Sequence, residues 1–401
     1  MPVPVVSSSP KSGTRDYRDA QRPSVVKRVV YHLLSESEPF SEFRGGAVSR
    51  WVANVLRGDN GSIVICPSAD DSWGFPRAQV RPLTAYGRYE KIRRLSSRVP
   101  WFLHRMFLEA LLKQGLEGLR AGDVVWVHNR PDFAVAIAPI VRRAKARLVL
   151  HMHNSHLVQW SEKIISQLQA DQIVFVSEFL REEAQLKFPK LMQAKVVYNG
   201  ADGSMFYSSP RSGKNGDHLP IVLFASRLVE DKGPQVFLEA MSLLQKRKTR
   251  AKGLVVGSSN FGGSKPTKFV RTLHRMAPAN VEFQDYCSGK PLADIFRKAD
   301  IFCCSSIWNE PFGMVNVEAM ATGLPVVASA VGGIPEVFRE GGGILVPGGS
   351  ASELAAAIEL LISEPSLRQK VAAEGYASFR KNFTWAVVKR QYEDVLASLP
   401  A

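Results

Sequence analysis

The sequence predicts an α/β protein made of two doubly wound parallel sheets in series, facing each other across a cleft. Three observations carry this expectation. Short apolar runs alternate with helical patterns along nearly the whole chain. The strand candidates are nearly continuous in Val, Ile, Leu and Phe, as strands covered by helices on both faces require. A polar, Gly- and Ser-rich break at 200–219 interrupts the alternation, which then starts again. The length of 401 residues fits two to three domains of ordinary size.

In chain order, residues 1–25 are rich in Ser, Pro and charge without apolar periodicity and read as a loose arm. The first domain, 26–205, offers strands at Val29–Leu33, Ser62–Cys66, Val124–His128, Leu148–Met152, Ile173–Val176 and Val196–Tyr198. Helices are expected at Val48–Leu56, Phe133–Ala144 and Lys163–Gln169. The second domain, 218–380, offers strands at Ile221–Ala225, Leu254–Val256, Val281–Phe283, Ile301–Cys304, Pro325–Ala328 and Ile344–Val346. Its helices are expected at Gln235–Gln245, Phe269–Met276, Met314–Ala321 and Ala351–Leu361. In Gln235–Gln245, Val236, Phe237, Ala240, Leu243 and Leu244 share one face. A last helix is expected at 384–399.

Composition excludes several classes. At 45% hydrophobic and 22% charged residues the chain is an ordinary globular protein. No apolar run is long enough to span a bilayer, and the first ten residues lack the basic and apolar regions of an export signal. A cytoplasmic location is therefore expected. Cys66, Cys287, Cys303 and Cys304 show no C-x-x-C spacing, which leaves them as small buried hydrophobes. The net charge of +15 asks for an anionic partner. The excess gathers in the first half, above all in 77–105, where eight Lys and Arg stand against Glu90 alone. Tyr86, Tyr89, Trp101 and Phe102 are interleaved with them, which suits an anionic membrane surface or a lipid-linked, phosphate-bearing acceptor. No nucleic-acid recognition fold accompanies the patch, so nucleic acid is not an expected partner.

The chemistry concentrates after strands of the second domain. The strand ending at Cys304 runs into a loop carrying Glu310, Pro311, Phe312 and Gly313, and a helix starts near Met314. Free backbone N–H groups at such a helix start, at the carboxyl end of a parallel strand, form an anion cradle. Glu310 and Glu318 can both face one ligand and accept hydrogen bonds from its hydroxyls. Arg227 and Lys232 follow the first strand of the same domain, where two cations would neutralise a diphosphate. No Asp-x-Asp pair is present to hold Mn²⁺ or Mg²⁺, so metal-independent handling of phosphate is expected and no metal site is assigned.

Together, R-x4-K after the strand, E-P-F-G-x-x-x-x-E, and G-L-P-V-V-A-S-x-V-G-G-I-P-E resemble the donor-binding domain of GT-B glycosyltransferases of family 4, the glycosyltransferase group 1. The match is close over about 220–345. The resemblance implies a retaining hexosyltransferase that takes a nucleotide-diphosphate sugar as substrate and needs no cofactor. It implies that Arg227 and Lys232 hold the pyrophosphate, Glu318 the ribose, Glu310 the sugar hydroxyls, and the Phe312, Gly313, Met314 and Val315 backbone the phosphate and sugar. The carboxyl end of Val281–Phe283 would frame the base, with Tyr286 a weaker candidate. The first domain would bind the acceptor, a glycan or lipid-linked molecule of cell-surface polysaccharide or lipopolysaccharide synthesis. The enzyme would then sit at the inner face of the cell membrane as a peripheral protein.

In the first domain the resemblance implies a Gly-rich loop near the phosphates, best matched by Gly45 and Gly46, and a His near the anomeric centre. The segment His151-Met-His-Asn-Ser-His156 supplies candidates. His153, nearest the strand end, is favoured as a catalytic group beside Glu310; His151 reads as packed, and His128-Asn129-Arg130 is a competing cluster. The alternative reading is a non-catalytic sugar-nucleotide-binding or regulatory protein of the same fold. Gly257 to Lys265 superficially resembles a phosphate loop, but Lys does not follow the second Gly.

Overall fold

The computed structural model describes residues 28–42, 44, 46–83, 86, 89, 100–191, 193–208, 218–259 and 265–400. The expected arm, Gly45, residues 209–217 of the break, and Arg88, Lys91, Arg93, Arg94 and Arg98 of the basic segment lie outside the described residues.

The first sheet holds β1 (Val30–Leu33), β2 (Ile63–Cys66), β3 (Val80–Pro82), β4 (Val124–His128), β5 (Arg147–Met152), β6 (Gln172–Phe175) and β7 (Lys195–Val196). Around them lie α1 (Ala47–Val55), α2 (Trp101–Lys113), α3 (Pro131–Arg143), the single turn α4 (Glu162–Ile165) and α5 (Glu178–Lys187). The second sheet holds β8 (Ile221–Ala225), β9 (Lys252–Val256), β10 (Val281–Gln284), β11 (Ile301–Cys304), β12 (Val326–Ser329) and β13 (Gly343–Val346). Its helices are α6 (Pro234–Lys246), α7 (Lys268–Met276), α8 (Gly289–Lys298), α9 (Met314–Ala321), α10 (Ile334–Val337), α11 (Ala351–Ser363) and α12 (Pro365–Asn382). The last helix is α13 (Trp385–Ser398).

Both sheets are parallel throughout. Their orders are β3-β2-β1-β4-β5-β6-β7 and β10-β9-β8-β11-β12-β13. The fold is therefore the expected pair of doubly wound α/β domains. In each, strand order reverses once, between β1 and β4 and between β8 and β11, and crevices at such reversals are where open α/β sheets take ligands. The central strands are apolar on both faces because helices cover both; every residue of β4, β11 and β12 is buried. Cys303 and Cys304 point into cores on opposite sides of β11.

Local chemistry explains the element ends. In α3, Pro131 occupies the first turn with Asp132, and Arg142 and Arg143 close the last, matching the helix dipole at both ends. The Thr384 hydroxyl accepts from Val387 N–H to start α13. Helices α2, α5, α8 and α12 add to those expected, and two further elements depart from expectation. β3 is a three-residue edge strand ending in Pro82, too short and polar to show as an apolar run. The helix expected over Lys163–Gln169 is the single turn α4, ending at Ser166.

α13 packs back on the first domain. Val388, Tyr392 and Val395 join Trp51, Trp126 and Val52 in one core, Tyr198 N–H donates to Gln391 Oε1, and Ala201 N–H donates to the Phe383 carbonyl. Tyr198 also stacks on Phe312, 5.6 Å between ring centroids, so aromatic packing ties the two domains at their base. No described helix is long and apolar enough to cross a membrane.

Candidate functional site

The reversal in the second sheet brings the loops after β8 and β11 together. Lys232 Nζ donates to Glu310 Oε1 at 2.5 Å, and Ser306 Oγ donates to the same oxygen at 2.6 Å. The ammonium also lies 5.2 Å from the centre of the Trp308 ring. Glu310 is only 5% exposed and meets both partners through that one oxygen. Its backbone is held by Gly332 and Gly333. The Gly333 N–H donates to the Glu310 carbonyl, and a Cβ on Gly332, at φ +56°, would fall 2.3 Å from that carbonyl oxygen. The G-G of the third motif therefore seats the E-P-F-G loop. Gly313, at φ +86°, turns that loop into α9, whose first-turn amides at Met314 and Val315 have no intrahelical partners. Phe312 is buried against Tyr198 and Phe383, which anchors the loop. Arg227 is exposed on the β8 loop. Beside that loop a hollow of about 190 Å³ opens at the carboxyl ends of β9 and β10, lined by Leu228, Ser258, Phe283 and Gln284 among others. Tyr286, half-buried, follows β10 but does not line the hollow. A larger hollow, about 720 Å³, lies at the amino ends of β4 and β5, remote from these loops.

At the first sheet's reversal the groups are of another kind. His153 follows β5 directly and is 8% exposed; its backbone N–H donates to Asn129 Oδ1 at 2.6 Å. Asn129 sits at φ +57° after β4, a left-handed conformation that Asn tolerates. His128 Nδ1 meets His153 Nε2 at 3.0 Å, so the two competing histidines form one hydrogen-bonded unit. His128 Nε2 meets His32 Nδ1 at 3.2 Å, and His32 Nε2 meets the Tyr392 hydroxyl at 3.1 Å. His151 is fully buried, edge-on to Trp51, with neither ring nitrogen hydrogen-bonded among the described residues. Burial pushes His32 and His153 down to about 3 and holds His128 and His151 well below the ordinary imidazole range. All four are neutral at physiological pH. Nitrogens of His128, His151 and His153 lie within 4.8 Å of one another, the one set among the described residues able to reach a common metal ion.

Arg130, from the same cluster, is locked. It pairs with Glu36 and Asp132, donates to the Tyr89 hydroxyl, and lies 4.0 Å over the Phe133 ring. Gly46, the described half of the expected phosphate loop, caps α1. Its N–H donates to Glu38 Oε1 at 2.7 Å, and Ser49 N–H donates to the same oxygen, so an internal carboxylate holds this helix start.

Three residues escaped the sequence reading. Arg50, one turn into α1, reaches across to Glu318, Nη1 to Oε1 at 3.1 Å. Glu318 is 4% exposed; burial raises its pKa and Arg50 opposes that rise. Glu336, last residue of the G-G-I-P-E motif, crosses to the first domain and accepts from Glu178 and Phe179 N–H, capping α5. Tyr392 arrives from α13. Proximity to Gly46 was the only local hint for Arg50; Glu336 and Tyr392 had none, because their partners lie 158 and 360 residues away in sequence.

Residues 208–378 match the family model of glycosyl transferases group 1. Spore coat protein SA of Bacillus subtilis is 29% identical over 289 residues, 66% of this chain and 75% of that protein. The D-inositol 3-phosphate glycosyltransferase of Streptomyces bingchenggensis is 34% identical over 184 residues, 44% of this chain and 40% of that one. Among solved structures, Anabaena HepE in complex with UDP superposes with a TM-score of 0.70 at 20% identity, covering 93% of this chain and 100% of that one. Its complex with UDP-glucose gives 0.68. Sucrose-phosphate synthase of Thermosynechococcus elongatus gives 0.69, also at 20% identity, over 93% of this chain and 99% of that one. The fold is that of GT-B glycosyltransferases, and the match to the group 1 model lies in the second domain.

Proposed function

We propose that this chain, carrying a group 1 glycosyltransferase domain at 208–378, moves a hexose from a nucleotide-diphosphate sugar to a glycan or lipid-linked acceptor with retention, as family 4 enzymes do. The observation that carries the reading is the Lys232–Glu310 pair set beside the start of α9 at the second sheet's reversal. A cation, a buried hydroxyl-binding carboxylate and free helix amides within one crevice suit a sugar diphosphate. The UDP and UDP-glucose bound by the structural neighbour support the donor class.

In this mechanism the base enters the 190 Å³ hollow, the ribose takes Glu318 from Arg50, and the pyrophosphate turns Lys232 away from Glu310. Glu310 is then released to hold sugar hydroxyls. As the bond from the anomeric carbon to phosphate oxygen breaks, Arg227, Lys232 and the amides of Met314 and Val315 stabilise the charge on the leaving diphosphate without metal. The acceptor hydroxyl attacks from the same face and passes its proton to the leaving phosphate. His153, at the opposite edge, hydrogen-bonds the transferred sugar.

The acceptor side suits a lipid. On α2, Phe102 and Met106 are each 61% exposed, with Leu103 and Phe107 beside them, immediately after the basic run of 88–98. Trp101 at the head of α2 packs on Trp160, at the end of the segment that follows His153. An apolar row flanked by cations fits the inner face of an anionic membrane, consistent with cell-surface polysaccharide or lipopolysaccharide synthesis.

The direct test is thermal denaturation with UDP, GDP or ADP in the presence of EDTA, followed by hydrolysis assays on the matching nucleotide sugars. A nucleoside diphosphate should raise Tm without divalent metal. Binding without any hydrolysis or transfer would favour the non-catalytic alternative. Sedimentation with phosphatidylglycerol vesicles should fall when Phe102 and Met106 are changed to Ser; unchanged sedimentation would remove the membrane from the proposal.

A further inference from the structure

A lysine carries its charge on a flexible four-carbon stem, so keeping that charge at one point takes more than one contact. The fold fixes the root of Lys232 from both sides. Ile307 N–H donates to the Asp231 carbonyl at 2.9 Å, and Ser305 Oγ donates to the Gly233 carbonyl at 2.8 Å. Gly233 stands at φ +68°, and a Cβ there would fall 1.8 Å from the Ser305 carbonyl oxygen, so the loops after β8 and β11 touch backbone to backbone. Residues 231 and 233 are thereby tied to 307 and 305. This sets Trp308, half-buried, beside Lys232.

The Lys232 ammonium lies 5.2 Å from the centre of the Trp308 ring, within the range where the negative face of an indole attracts a cation. The lysine side chain is only 15% exposed, so water weakens the attraction little. The indole N–H takes no part: Nε1 is buried and has no hydrogen-bond partner among the described residues. A tryptophan placed for its N–H would have an acceptor there. The other partner of the ammonium, Glu310, is shared, since the same Oε1 accepts from Ser306 Oγ. In the proposed reaction that carboxylate turns to the sugar hydroxyls as the pyrophosphate arrives. The ring is neutral and competes with neither anion.

We propose that Trp308 is a positioning residue: its ring face keeps the Lys232 ammonium at the diphosphate's place when Glu310 lets it go. In the free protein Glu310 and Trp308 hold the ammonium together. With the donor bound, Trp308 is the partner that remains, so its contribution counts most in the bound state. This rests on the reading of the crevice as a diphosphate site. The contact between Lys232 and Trp308 does not.

Titration calorimetry with UDP, GDP and ADP in EDTA measures the effect. Trp308→Leu removes the ring face and should weaken the nucleoside diphosphate that the wild type binds by about tenfold, the scale of a mostly buried cation–ring contact. Trp308→Phe keeps a face and should bind within about threefold of wild type. Pentafluorophenylalanine, placed at 308 by nonsense suppression, has nearly the shape of Phe with the charge of its face reversed. It should bind as weakly as Trp308→Leu. A folded Trp308→Leu protein that binds like wild type overturns the proposal. So does a pentafluorophenylalanine protein equal to Trp308→Phe, because shape alone would then suffice. Either failure leaves the donor reading standing. If the wild type binds none of the three nucleotides, the donor reading falls and the proposal with it.

Discussion

The two sheets share one strand order, yet their carboxyl edges are furnished in opposite ways. The edge of the second sheet is ionic: Lys232 on Glu310, Arg227 on the neighbouring loop, and Glu318 met by Arg50 from across the cleft. The edge of the first is a run of neutral imidazoles bonded to one another, and Arg130 beside it is locked by Glu36 and Asp132. Ion pairs can be exchanged for another ion, which suits the second edge to the diphosphate proposed above. Neutral, directional groups hold hydroxyls in fixed orientation and exert little pull on an anion. One fold thus supplies an exchangeable edge and a pre-set edge, and the division of labour follows from the side chains at the loop roots.

The sharpest way to break this contrast is at the exchangeable edge. Lys232→Ala should lower kcat by about 10²–10³ and abolish stabilisation by nucleoside diphosphate in EDTA. Retained stabilisation in the melting curve would show that the ionic edge does not bind the diphosphate.

The pre-set edge should announce itself through pH. Its histidines are held neutral when folded, with His32 and His153 at about 3 against an ordinary 6.5. Between those values the unfolded chain binds more protons than the folded one, so stability falls as pH falls, by ~1.4 kcal/mol per pH unit for each such histidine. The raised carboxyls of Glu38, Glu318 and Glu336 act in the opposite sense as they take up protons above 4.5. Urea unfolding at pH 7.5 and 5.5, with His128→Gln as the comparison, isolates the imidazole part. Equal slopes in the two proteins would mean that His128 is not held neutral.

The two edges should also separate in kinetics. His153→Ala should cost about tenfold in kcat while the Tm rise with nucleoside diphosphate persists. A variant that loses both would place His153 on the donor's phosphate side. The smallest effect belongs to Arg50. Arg50→Met removes a competitor for Glu318 and should tighten nucleoside diphosphate binding by up to about fivefold, the worth of a half-exposed pair. Weaker binding by calorimetry would make Arg50 itself a donor ligand.

What could be read in the sequence follows the same line. β8 and β11 show as uninterrupted apolar runs, and the loop from Glu310 to Glu318 is one contiguous motif, which is why both could be expected to face one ligand. Helices α5, α8 and α12 went unread because charged residues interrupt their apolar positions, and α2 because it is apolar on its exposed face as well as its buried one. The first edge was read as rival histidines, since spacing cannot show that His128 and His153 face each other across β4 and β5. Arg50, Glu336 and Tyr392 act on residues hundreds of positions away or in the other domain, and local pattern carries no trace of such contacts.

The return of α13 also bears on how the protein is made. Trp51 and Trp126 belong to the first domain, but the Val388, Tyr392 and Val395 that cover them follow β7 by about 190 residues. At ~5–20 residues per second, a ribosome needs ~10–40 s to deliver them. Throughout that interval the first domain carries an uncovered tryptophan face while the second is synthesised. Its closure therefore waits until the second domain has been made, and a nascent chain stalled before residue 385 should remain open to holding chaperones.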